Sequence, residues 1–240
     1  MSFPAARTRD LSTTVTTSLL AKARAAGTTL NNLLIRDLLL AIGDFQNPRS
    51  SAHDREWLRL SIPVNLRRPA THNLSAANIV GMIFVDRQMH DLSDQHSLLE
   101  GIHGQMRQIK GLELGMIFPL SLRFFNGLPG ARKRMQRMSS DSRCRCTAVL
   151  SNLMRPFDTS PLPRRDGKLV VGDFELTGIE FLPPVRQGTP AAFGVLTYAD
   201  RLNITLQYDP RSLTPEEAEE LLHGYVNYLL HSAGPSEVKK

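Results

Sequence analysis

The sequence predicts an α+β fold, in which helices pack on one face of a mixed or largely antiparallel sheet. Its periodic segments come in the order helix, helix, strand, strand, helix, helix, several strands and a final helix. This order lacks the regular strand–helix alternation of a doubly wound fold. Of the 240 residues, 41% are hydrophobic, which is enough to bury a core without disulfide bridges.

Two helices are predicted near the start of the chain. The first covers residues 13–26, because Ser12 is a good N-cap and Gly27 is a typical stop. The second follows the cap residue Thr29 and ends at Gly43. Its leucines and isoleucines recur at helical spacing around much of the circumference, which predicts a position in the interior.

Two strands and two more helices are predicted next. Residues 57–62 alternate between two faces, which indicates a half-buried strand, and Pro63 argues against its continuation in a central ladder. Residues 78–85 are apolar on both faces, which predicts a central strand. The two helices are predicted at residues 96–110 and 119–138.

The last part of the chain is predicted to consist of short strands and one helix. The strands lie at residues 146–150, on both sides of a turn at 172–173, and at 193–199 and 202–208, with a hairpin turn at 200–201. The final helix has a complete start signature, because Thr214 is its N-cap, Pro215 its first residue and Glu217 completes a capping box. Gly234 ends this helix, and residues 235–240 are expected to be a disordered tail.

Composition excludes several classes of protein. Two cysteines, Cys144 and Cys146, cannot form a disulfide scaffold, and their spacing indicates small core side chains rather than a metal or redox pair. No apolar run reaches about 18 residues, so no membrane-spanning helix is predicted. The first residues lack the apolar core of a secretory signal, which makes the cytoplasm the expected compartment.

The positive charge is concentrated in one segment. Lys and Arg number 29 against 23 Asp and Glu, and residues 123–145 hold much of the excess. We predict an anion-binding patch there, formed by Arg132, Lys133, Arg134 and Arg137. Its partner would be a phosphate-bearing cofactor, an acidic protein, a membrane surface or nucleic acid, and a solvated helix face is the alternative. Nucleic acid ranks last, because aromatic residues for base stacking are scarce.

No motif by itself is sufficient for catalysis or metal binding. Neither GxGxxG nor GxxxxGK[ST] is present, and Ser151 lacks the GxSxG context of a hydrolase nucleophile. His96 and His103 lie on one side of a predicted helix, but two histidines without a third ligand make a poor metal site. We therefore predict no metal site and place both histidines at the surface.

The most distinctive segment is SIPVNLRRP at residues 61–69. Its residues Pro63, Asn65 and Arg67 follow a predicted strand, and on their own they indicate a rigid turn with solvated arginines. Together with Asn78-Ile79-Val80-Gly81, this segment resembles the condensation-domain-like acyltransferases, which share the chloramphenicol acetyltransferase fold. The superfamily includes nonribosomal peptide condensation domains, wax ester synthases and alcohol acetyltransferases.

Further motifs of this superfamily occur in the same order along the chain. Residues 28–34, TTLNNLL, resemble the start of a helix in its second lobe. Residues 149–153, VLSNL, resemble a strand that ends in SNLG, with Met154 in place of the glycine. Residues 194–198 and Tyr208 resemble the closing hairpin.

The resemblance implies a role for each group of motif residues. It implies that residues 1–234 form a single C-terminal lobe of a fold that has two lobes. Ser151 and Asn152 would lie near the substrate channel between the lobes. The other motif residues would shape the lobe rather than take part in chemistry, and they are Pro63, Asn65, Arg67, Asn78 and Gly81.

The catalytic motif of the superfamily is not found in this sequence. The resemblance implies a general base in the first lobe, the second histidine of HHxxxDG, which deprotonates an acceptor hydroxyl or amine for attack on an acyl thioester. The nearest string here, MHDLSDQ at residues 89–95, keeps only His90 four residues before Asp94. It follows the PVNLR segment, whereas the family's motif precedes it. We therefore treat His90 and Asp94 as a coincidental match and a weak catalytic candidate.

Together these expectations define a function. The chain would supply one wall of an acyltransferase channel and would be inactive alone. Its co-substrate would be a thioester of coenzyme A or of a carrier protein's phosphopantetheine, with no tightly bound cofactor, and the basic patch would meet the phosphates of coenzyme A or the acidic surface of a carrier protein. A second lobe or self-association would cover an otherwise apolar face. The alternative is a non-catalytic interaction module that uses this face and the basic patch.

Overall fold

A computed structural model of the chain describes residues 4–49, 56–67, 80–112, 146–186 and 188–234, together with positions 120, 121, 124, 130 and 133. Within these residues, the helices and strands follow the predicted order, with two additional strands, one at the start and a two-residue strand at Arg164–Arg165. None of the described helices is both long and apolar enough to cross a membrane.

The elements of the first half are β1 (Ala5–Leu11), α1 (Thr13–Ala25), α2 (Leu30–Gln46), β2 (Trp57–Asn65), β3 (Val80–Gln88) and α3 (Gln95–Gly111). A 3-10 helix, Met89–Ser93, joins β3 to α3. The elements of the second half are β4 (Ala148–Asn152), β5 (Arg164–Arg165), β6 (Lys168–Val171), β7 (Phe174–Glu175), β8 (Ala191–Tyr198), β9 (Arg201–Tyr208) and α4 (Pro215–Ala233).

Six of the strands form one mixed sheet in the order β1-β9-β8-β4-β2-β3. β4 runs parallel to its neighbours β2 and β8, and the other pairs are antiparallel. The helices pack on one face of this sheet, through a core that includes Leu19 of α1, Leu38 of α2, Ile102 of α3 and Leu222 of α4. The predicted α+β fold class is therefore confirmed. The short strands β5, β6 and β7 form a separate small sheet.

The edge strand β1 is absent from the sequence prediction. Its sequence, AARTRDL, contains three charged side chains in seven residues, which conceals the strand pattern. Among the described strands, β1 pairs with β9 alone, from Ala5 opposite Tyr208 to Leu11 opposite Leu202. Its strand conformation therefore depends on a partner near the other end of the chain.

The strand β3 lies at the other edge of the described sheet, so the prediction of a central strand is wrong. Within the described part of the chain it pairs with β2 alone, and Phe84 is 42% exposed on the face that points away from the helices. Gln105 of α3 donates its Nε2–H to the carbonyl of Phe84 at 3.0 Å, and Arg87 donates to the Oε1 of Gln105 at 3.1 Å. A helix side chain thus donates a hydrogen bond to a backbone carbonyl of this edge strand.

The strand β2 continues through Pro63, past its predicted end. Pro63 lies opposite Met82 of β3, and the strand ends at Asn65. On its other side, β2 pairs with β4 only at Leu60 and Ser61. Pro63 therefore lies where β2 has one neighbouring strand, and this position tolerates a residue without an N–H group.

The helix α2 runs past Gly43 to Gln46, so the predicted stop at Gly43 is wrong. The side chain of Leu92 lies where a β-carbon of residue 43 would be, so the glycine allows close packing and does not end the helix. The starts of α1 and α2 are as predicted, after the N-caps Ser12 and Thr29.

The hairpin of β8 and β9 is confirmed, but its turn begins one residue earlier than predicted. Tyr198 pairs with Arg201, which leaves Ala199 and Asp200 as the two turn residues. Their φ angles are 46° and 60°, as a type I′ turn requires. This turn matches the right-handed twist of the two strands that it connects.

The helix α4 begins and ends as predicted. The hydroxyl of Thr214 accepts from the N–H of Glu217, and the Glu217 carboxylate accepts from the N–H of Thr214 at 2.8 Å. Pro215 is the first helical residue, and Gly234 with a φ of 78° follows the last turn. The capping box could be predicted because all of its contacts are local.

The face of the sheet opposite the helices is partly covered. Over β8 and β9 it is covered by a non-helical segment, in which the carbonyl of Phe181 accepts from the hydroxyl of Thr205 and lies directly above Gly194. Over β2 and β3, Trp57 is 60% exposed and Phe84 is also exposed among the described residues. This half therefore presents large apolar side chains on its surface.

Several predictions concern residues outside the described ranges. These residues are Asn78, Arg132, Arg134, Arg137, Cys144 and the tail 235–240. Within the predicted helix 119–138, the described positions 120, 121, 124 and 133 are helical, and Lys133 of the predicted patch is exposed. Cys146 is buried, with its Sγ 3.1 Å from the hydroxyl of Thr189.

Candidate functional site

A cavity of about 580 Å³ opens where the carboxyl ends of β2 and β4 meet the first turn of α2. These two strands are parallel, so their carboxyl ends point in the same direction and lie side by side. The helix α1 and the last turn of α3 complete the walls. Of the residues that the sequence analysis assigned to the channel or to the shape of the lobe, Pro63, Asn65, Arg67 and Asn152 line this cavity.

A turn at the end of β2 brings Arg67 to the cavity wall. The side-chain Oδ1 of Asn65 accepts from the backbone N–H of Arg67 at 2.9 Å, which is an Asx-turn. Pro63 restricts the backbone two residues earlier. In these contacts Asn65 acts as a turn residue.

Asn152 connects β4 to α2 and shapes the turn that follows β4. Its Nδ2 donates to the Oδ1 of Asn31 at 3.3 Å, and its own Oδ1 accepts from the N–H of Met154 at 2.8 Å. Met154 has a φ of 57°, in the left-handed region that favours glycine. The N–H of Thr197 holds the carbonyl of Met154 at 2.6 Å. The positive φ explains why the resemblance implies a glycine at this position, and it leaves the methionine with a strained backbone.

The cavity is lined by aliphatic side chains, by the polar side chains of Thr29, Asn31, Asn65, Asn152 and Thr197, and by three cations. The aliphatic lining consists of Leu20, Leu30, Ile62, Pro63, Val64, Leu66, Met106, Ile109 and Met154. Arg67, Lys110 and Arg155 also line it, and Arg155 pairs with Asp200 at 2.9 Å. Among the described lining residues there is no carboxylate, aromatic ring or histidine. The arrangement suits a ligand that combines an aliphatic part with an anionic group.

Ser151 and Gly81 do not line this cavity. Ser151 lies in register with Gly194 of β8, on the face of β4 opposite to Asn152. Gly81 pairs with Val64 of β2 and is buried in the sheet. Of the two residues predicted to lie near the channel, the structure therefore places only Asn152 at the cavity. The position of Ser151 relative to the channel stays a prediction.

His90 and Asp94 lie beyond the opposite ends of the strands from the cavity. β3 is antiparallel to β2, so the end of β3 that precedes His90 adjoins Trp57 at the start of β2. The Nε2 of His90 is 3.1 Å from the carboxylate of Asp91, and the His90 side chain is exposed while that of Asp91 is half-buried. Asp94 is the N-cap of α3, and the hydroxyl and N–H of Ser97 hold its pKa below the ordinary value.

His103 takes part in a polar network between α2 and α3. Its Nδ1 lies 3.1 Å from the hydroxyl of Thr28 and 3.3 Å from the Nδ2 of the buried Asn32. Both partners lie at or just before the first turn of α2, so His103 connects α3 to the start of α2. The prediction that both histidines are surface residues is correct for His96, which is exposed, whereas His103 is half-buried.

Asp37 is a fully buried carboxyl between α2 and α4, and it does not line the cavity. It accepts from Arg36 at 2.8 Å and from the hydroxyl of Ser232 at 2.7 Å. Burial outweighs these contacts and raises the pKa of Asp37 to about 6. Its role is therefore in the packing of two helices. The described residues contain no cluster of His, Cys, Asp or Glu that could hold a metal ion.

Comparison with known proteins relates this arrangement to solved structures. No profile of a known protein family and no curated protein matches the sequence significantly. The trichothecene 15-O-acetyltransferase from Fusarium sporotrichioides matches with a TM-score of 0.72 and 16% identity, over 96% of this chain and 47% of that chain. The epimerization domain of tyrocidine synthetase B matches with a TM-score of 0.63 and 14% identity, over 96% and 48%.

A condensation domain that mediates chain release from the enacyloxin polyketide synthase also matches, with a TM-score of 0.62 and 16% identity, over 99% of this chain and 42% of that chain. The chain adopts the condensation-domain-like fold. This confirms the fold that the sequence motifs implied. The chain spans about half the length of these three structures, and the likeness to the condensation-domain-like fold extends across nearly all of its own length.

Sequence reasoning did not find every residue that lines the cavity. Lys110 and Arg155 are brought together by tertiary packing of α3 and the loop after β4, and neither belongs to a motif. A signal for Arg155 was present, because it follows the SNL motif by two residues. Lys110 carried no such signal, since a lysine in the last turn of a helix is common on any surface.

Proposed function

We propose that this chain is one lobe of an acyltransferase that moves an acyl group from a thioester to an alcohol or an amine. The observation that supports this proposal best is the convergence of Pro63, Asn65, Arg67 and Asn152 on one cavity. These residues come from two separate motifs and carry the resemblance to the acyltransferase superfamily. The shared fold is the second support.

The chemistry of the cavity fits a thioester of coenzyme A or phosphopantetheine. The cations at the rim, Arg67 and Lys110, attract its phosphate groups. The paired amides of Asn31 and Asn152 supply hydrogen-bond donors and acceptors for the amide groups of a pantetheine arm. The aliphatic wall packs against the acyl group.

The general base belongs to a second lobe that carries HHxxxDG, whether on this polypeptide or on another. Its imidazole removes the proton of the acceptor hydroxyl or amine as the acceptor attacks the thioester carbonyl. The carbon–sulfur bond then breaks, and the sulfur leaves as a thiol after it takes up that proton. The chain described here binds and orients the thioester in this scheme.

Reconstitution tests the proposal. The purified chain is incubated with an acyl-CoA and a panel of alcohols and amines, and the release of free thiol is followed. We expect no turnover by the chain alone, and turnover once a lobe with HHxxxDG is added. Substitution of the second histidine of that motif by alanine is expected to abolish it. Absence of turnover with every such lobe would refute an enzymatic role.

The weak candidate His90 is tested in the same assay. His90→Ala is expected to leave the activity of the reconstituted enzyme unchanged, because His90 lies at the edge of the sheet away from the cavity. His96→Ala is the matched control, since His96 is also exposed, next to Glu100. Turnover by the chain alone that His90→Ala abolishes would contradict the proposed location of the base.

Lys110 is a direct test of phosphate recognition. Lys110→Ala is expected to raise the KM for acyl-CoA several-fold at low salt and to leave kcat unchanged, because rim charges act through screened attraction. Arg107→Ala is the matched control, since Arg107 is an exposed cation on α3 that does not line the cavity. Equal effects of the two substitutions would show that overall charge alone matters.

The predicted basic patch is assigned to the docking of an acidic carrier protein. Arg132, Lys133, Arg134 and Arg137 supply the charge for this contact, and Lys133 is exposed. Neutralising all four is expected to weaken binding of a carrier protein and to remove its salt dependence. Unchanged, salt-independent binding would leave the patch as a solvated helix surface.

A non-catalytic interaction module is the second candidate, and the exposed pair Trp57 and Phe84 favours it. Trp57 is the only tryptophan, so its fluorescence reports on this face alone. A partner lobe that covers the face is expected to shift the emission to shorter wavelength. Binding with this shift but without turnover would favour the interaction module over the enzyme.

A further inference from the structure

The cavity is built for an aliphatic chain. Aliphatic and thioether groups form about half of its lining, including Leu20, Leu30, Ile62, Val64, Met106 and Ile109, and the uncharged polar lining residues are Thr29, Asn31, Asn65, Asn152 and Thr197. No aromatic ring occurs among the described lining residues, so there is no platform on which a planar ligand could stack. No carboxylate occurs there either, which disfavours a cationic ligand such as a peptide amine.

The volume of the cavity sets the size of its occupant. A space of about 580 Å³ holds roughly twenty groups of the size of a water molecule, at about 30 Å³ each. An acetyl group would leave most of this space unfilled, and an unfilled apolar space gains nothing from the ligand. A chain of about ten carbons fills a large part of it and leaves room for a polar head near the rim.

We infer that the cavity binds a medium-length aliphatic acyl chain with an anionic head, and that Met154 is a contact residue for this chain at the opening. This inference rests on the proposed function, because it names the class of acyl group that the proposed enzyme takes. Met154 lines the cavity and is 70% exposed, so it lies at the mouth. Arg67 and Lys110 also line the cavity and supply positive charge for the anionic head.

The backbone at Met154 supports a role for its side chain. A non-glycine residue in the left-handed region is strained, and such strain persists where neighbouring contacts enforce it. Here Asn152 and Thr197 hold both sides of the Met154 peptide. Glycine would adopt this conformation without strain, so the methionine side chain gives no advantage to the backbone. A flexible thioether at the mouth can instead adapt to the surface of an alkyl chain.

Calorimetric titration of the purified chain tests the inference with four probes. These are decanoyl-CoA, acetyl-CoA, coenzyme A and sodium decanoate, each below its micellar concentration. We expect decanoyl-CoA to bind at least ten times more tightly than acetyl-CoA or coenzyme A, because each buried methylene adds to affinity. Binding of decanoate would identify a free fatty acid as a further source of the same chemistry, and its absence would assign the site to the thioester. Equal affinities for decanoyl-CoA and acetyl-CoA would overturn the inference.

Met154→Gly separates a contact role from a structural one. We expect this variant to unfold at a higher temperature than the parent chain, and to bind decanoyl-CoA about three to ten times more weakly. Met154→Leu is expected to keep the affinity of the parent, because leucine restores an apolar side chain. Asp166→Gly is the matched control, since Asp166 also has a positive φ but does not line the cavity. Unchanged affinity in Met154→Gly would refute the role of this side chain.

The reconstituted enzyme distinguishes this inference from the proposed function. Tight binding of decanoyl-CoA without turnover would sustain the chain-binding cavity and contradict the acyltransferase. Turnover at equal efficiency with acetyl and decanoyl thioesters would sustain the acyltransferase and contradict the preference for a long chain. The two ideas therefore fail in different assays.

Discussion

The side-chain amide of Asn152 donates to the Oδ1 of Asn31 across 3.3 Å, and this bond ties the end of β4 to the first turn of α2. The same side chain accepts from the N–H of Met154. One asparagine therefore fixes two walls of the cavity. Its position at the end of a strand explains why the SNL motif sits beside the cavity rather than in the core of the sheet.

Two substitutions of Asn152 are expected to have graded effects on stability. Asn152→Asp keeps the acceptor for Met154 and loses the donor to Asn31, so the free energy of unfolding should fall by about 1 kcal/mol. Asn152→Ala loses both contacts and should cost about 1–3 kcal/mol. Urea denaturation measures both values. A larger loss in the aspartate variant than in the alanine variant would contradict this assignment.

Gly194 is expected to be intolerant of a side chain. A β-carbon at residue 194 would lie 2.7 Å from the Cδ of Pro183 and even closer to the carbonyl of Phe181. Gly194→Ala should therefore displace this covering segment and lower the free energy of unfolding by about 1–3 kcal/mol. Gly224→Ala is the control, because that helical glycine has open space around it and should gain about 0.5–1 kcal/mol. Thermal denaturation that ranks the two variants in the opposite order would refute this packing argument.

Asp37 is expected to make stability depend on pH in an unusual direction. Its pKa is about 6 in the folded chain against an ordinary 3.8, so the folded state binds the proton more tightly than the unfolded state does. The contribution of Asp37 to stability is therefore fully present below pH 3.8 and is lost as the pH rises through about 6. The loss amounts to at most about 3 kcal/mol.

The variant Asp37→Asn isolates this effect, because asparagine does not titrate. Denaturant unfolding is measured from pH 4 to pH 8, and the stability of the parent relative to the variant is expected to decrease over this range. Asp173→Asn, in the exposed turn before β7, is the matched control and should show a constant difference. A constant difference for Asp37→Asn as well would contradict the effect of burial.

The cap of α4 is expected to contribute measurably to stability. Thr214→Ala removes the acceptor for the N–H of Glu217 and should lower the free energy of unfolding by about 1 kcal/mol. Ser212→Ala, two residues earlier in the exposed loop, should change it by less than about 0.5 kcal/mol. Chemical denaturation of both variants provides the comparison, and equal effects would exclude a specific cap.

The parts of the fold that could be predicted are those in which the contacts are local. The capping box of α4 and the N-caps of α1 and α2 follow from neighbouring residues, so the sequence pattern is sufficient. β1 could not be predicted, because its strand depends on pairing with β9 across almost the whole chain. The prediction of a central position for β3 was wrong because apolar residues on both faces of a strand do not show how many strands it pairs with.

The candidate site was predictable to a similar degree. Asn152 was expected at the channel and lines the cavity, whereas Ser151, which was expected there too, does not line it. Pro63, Asn65 and Arg67 were expected only to shape the lobe, and they line the cavity as well. Lys110 was not found, because its position at the cavity depends on how α3 packs against the sheet. The strain at Met154 could be seen only in the backbone angles, although the missing glycine of the motif was visible in the sequence.

The bond from Gln105 to the carbonyl of Phe84 has a consequence for the behaviour of the chain in concentrated solution. An open sheet edge can recruit a strand from another molecule, which is the first step of fibrillar aggregation. At Phe84 the helix side chain already occupies the acceptor that such an incoming strand would need. This hydrogen bond therefore hinders the addition of a strand from another molecule at Phe84, where β3 exposes a large apolar ring.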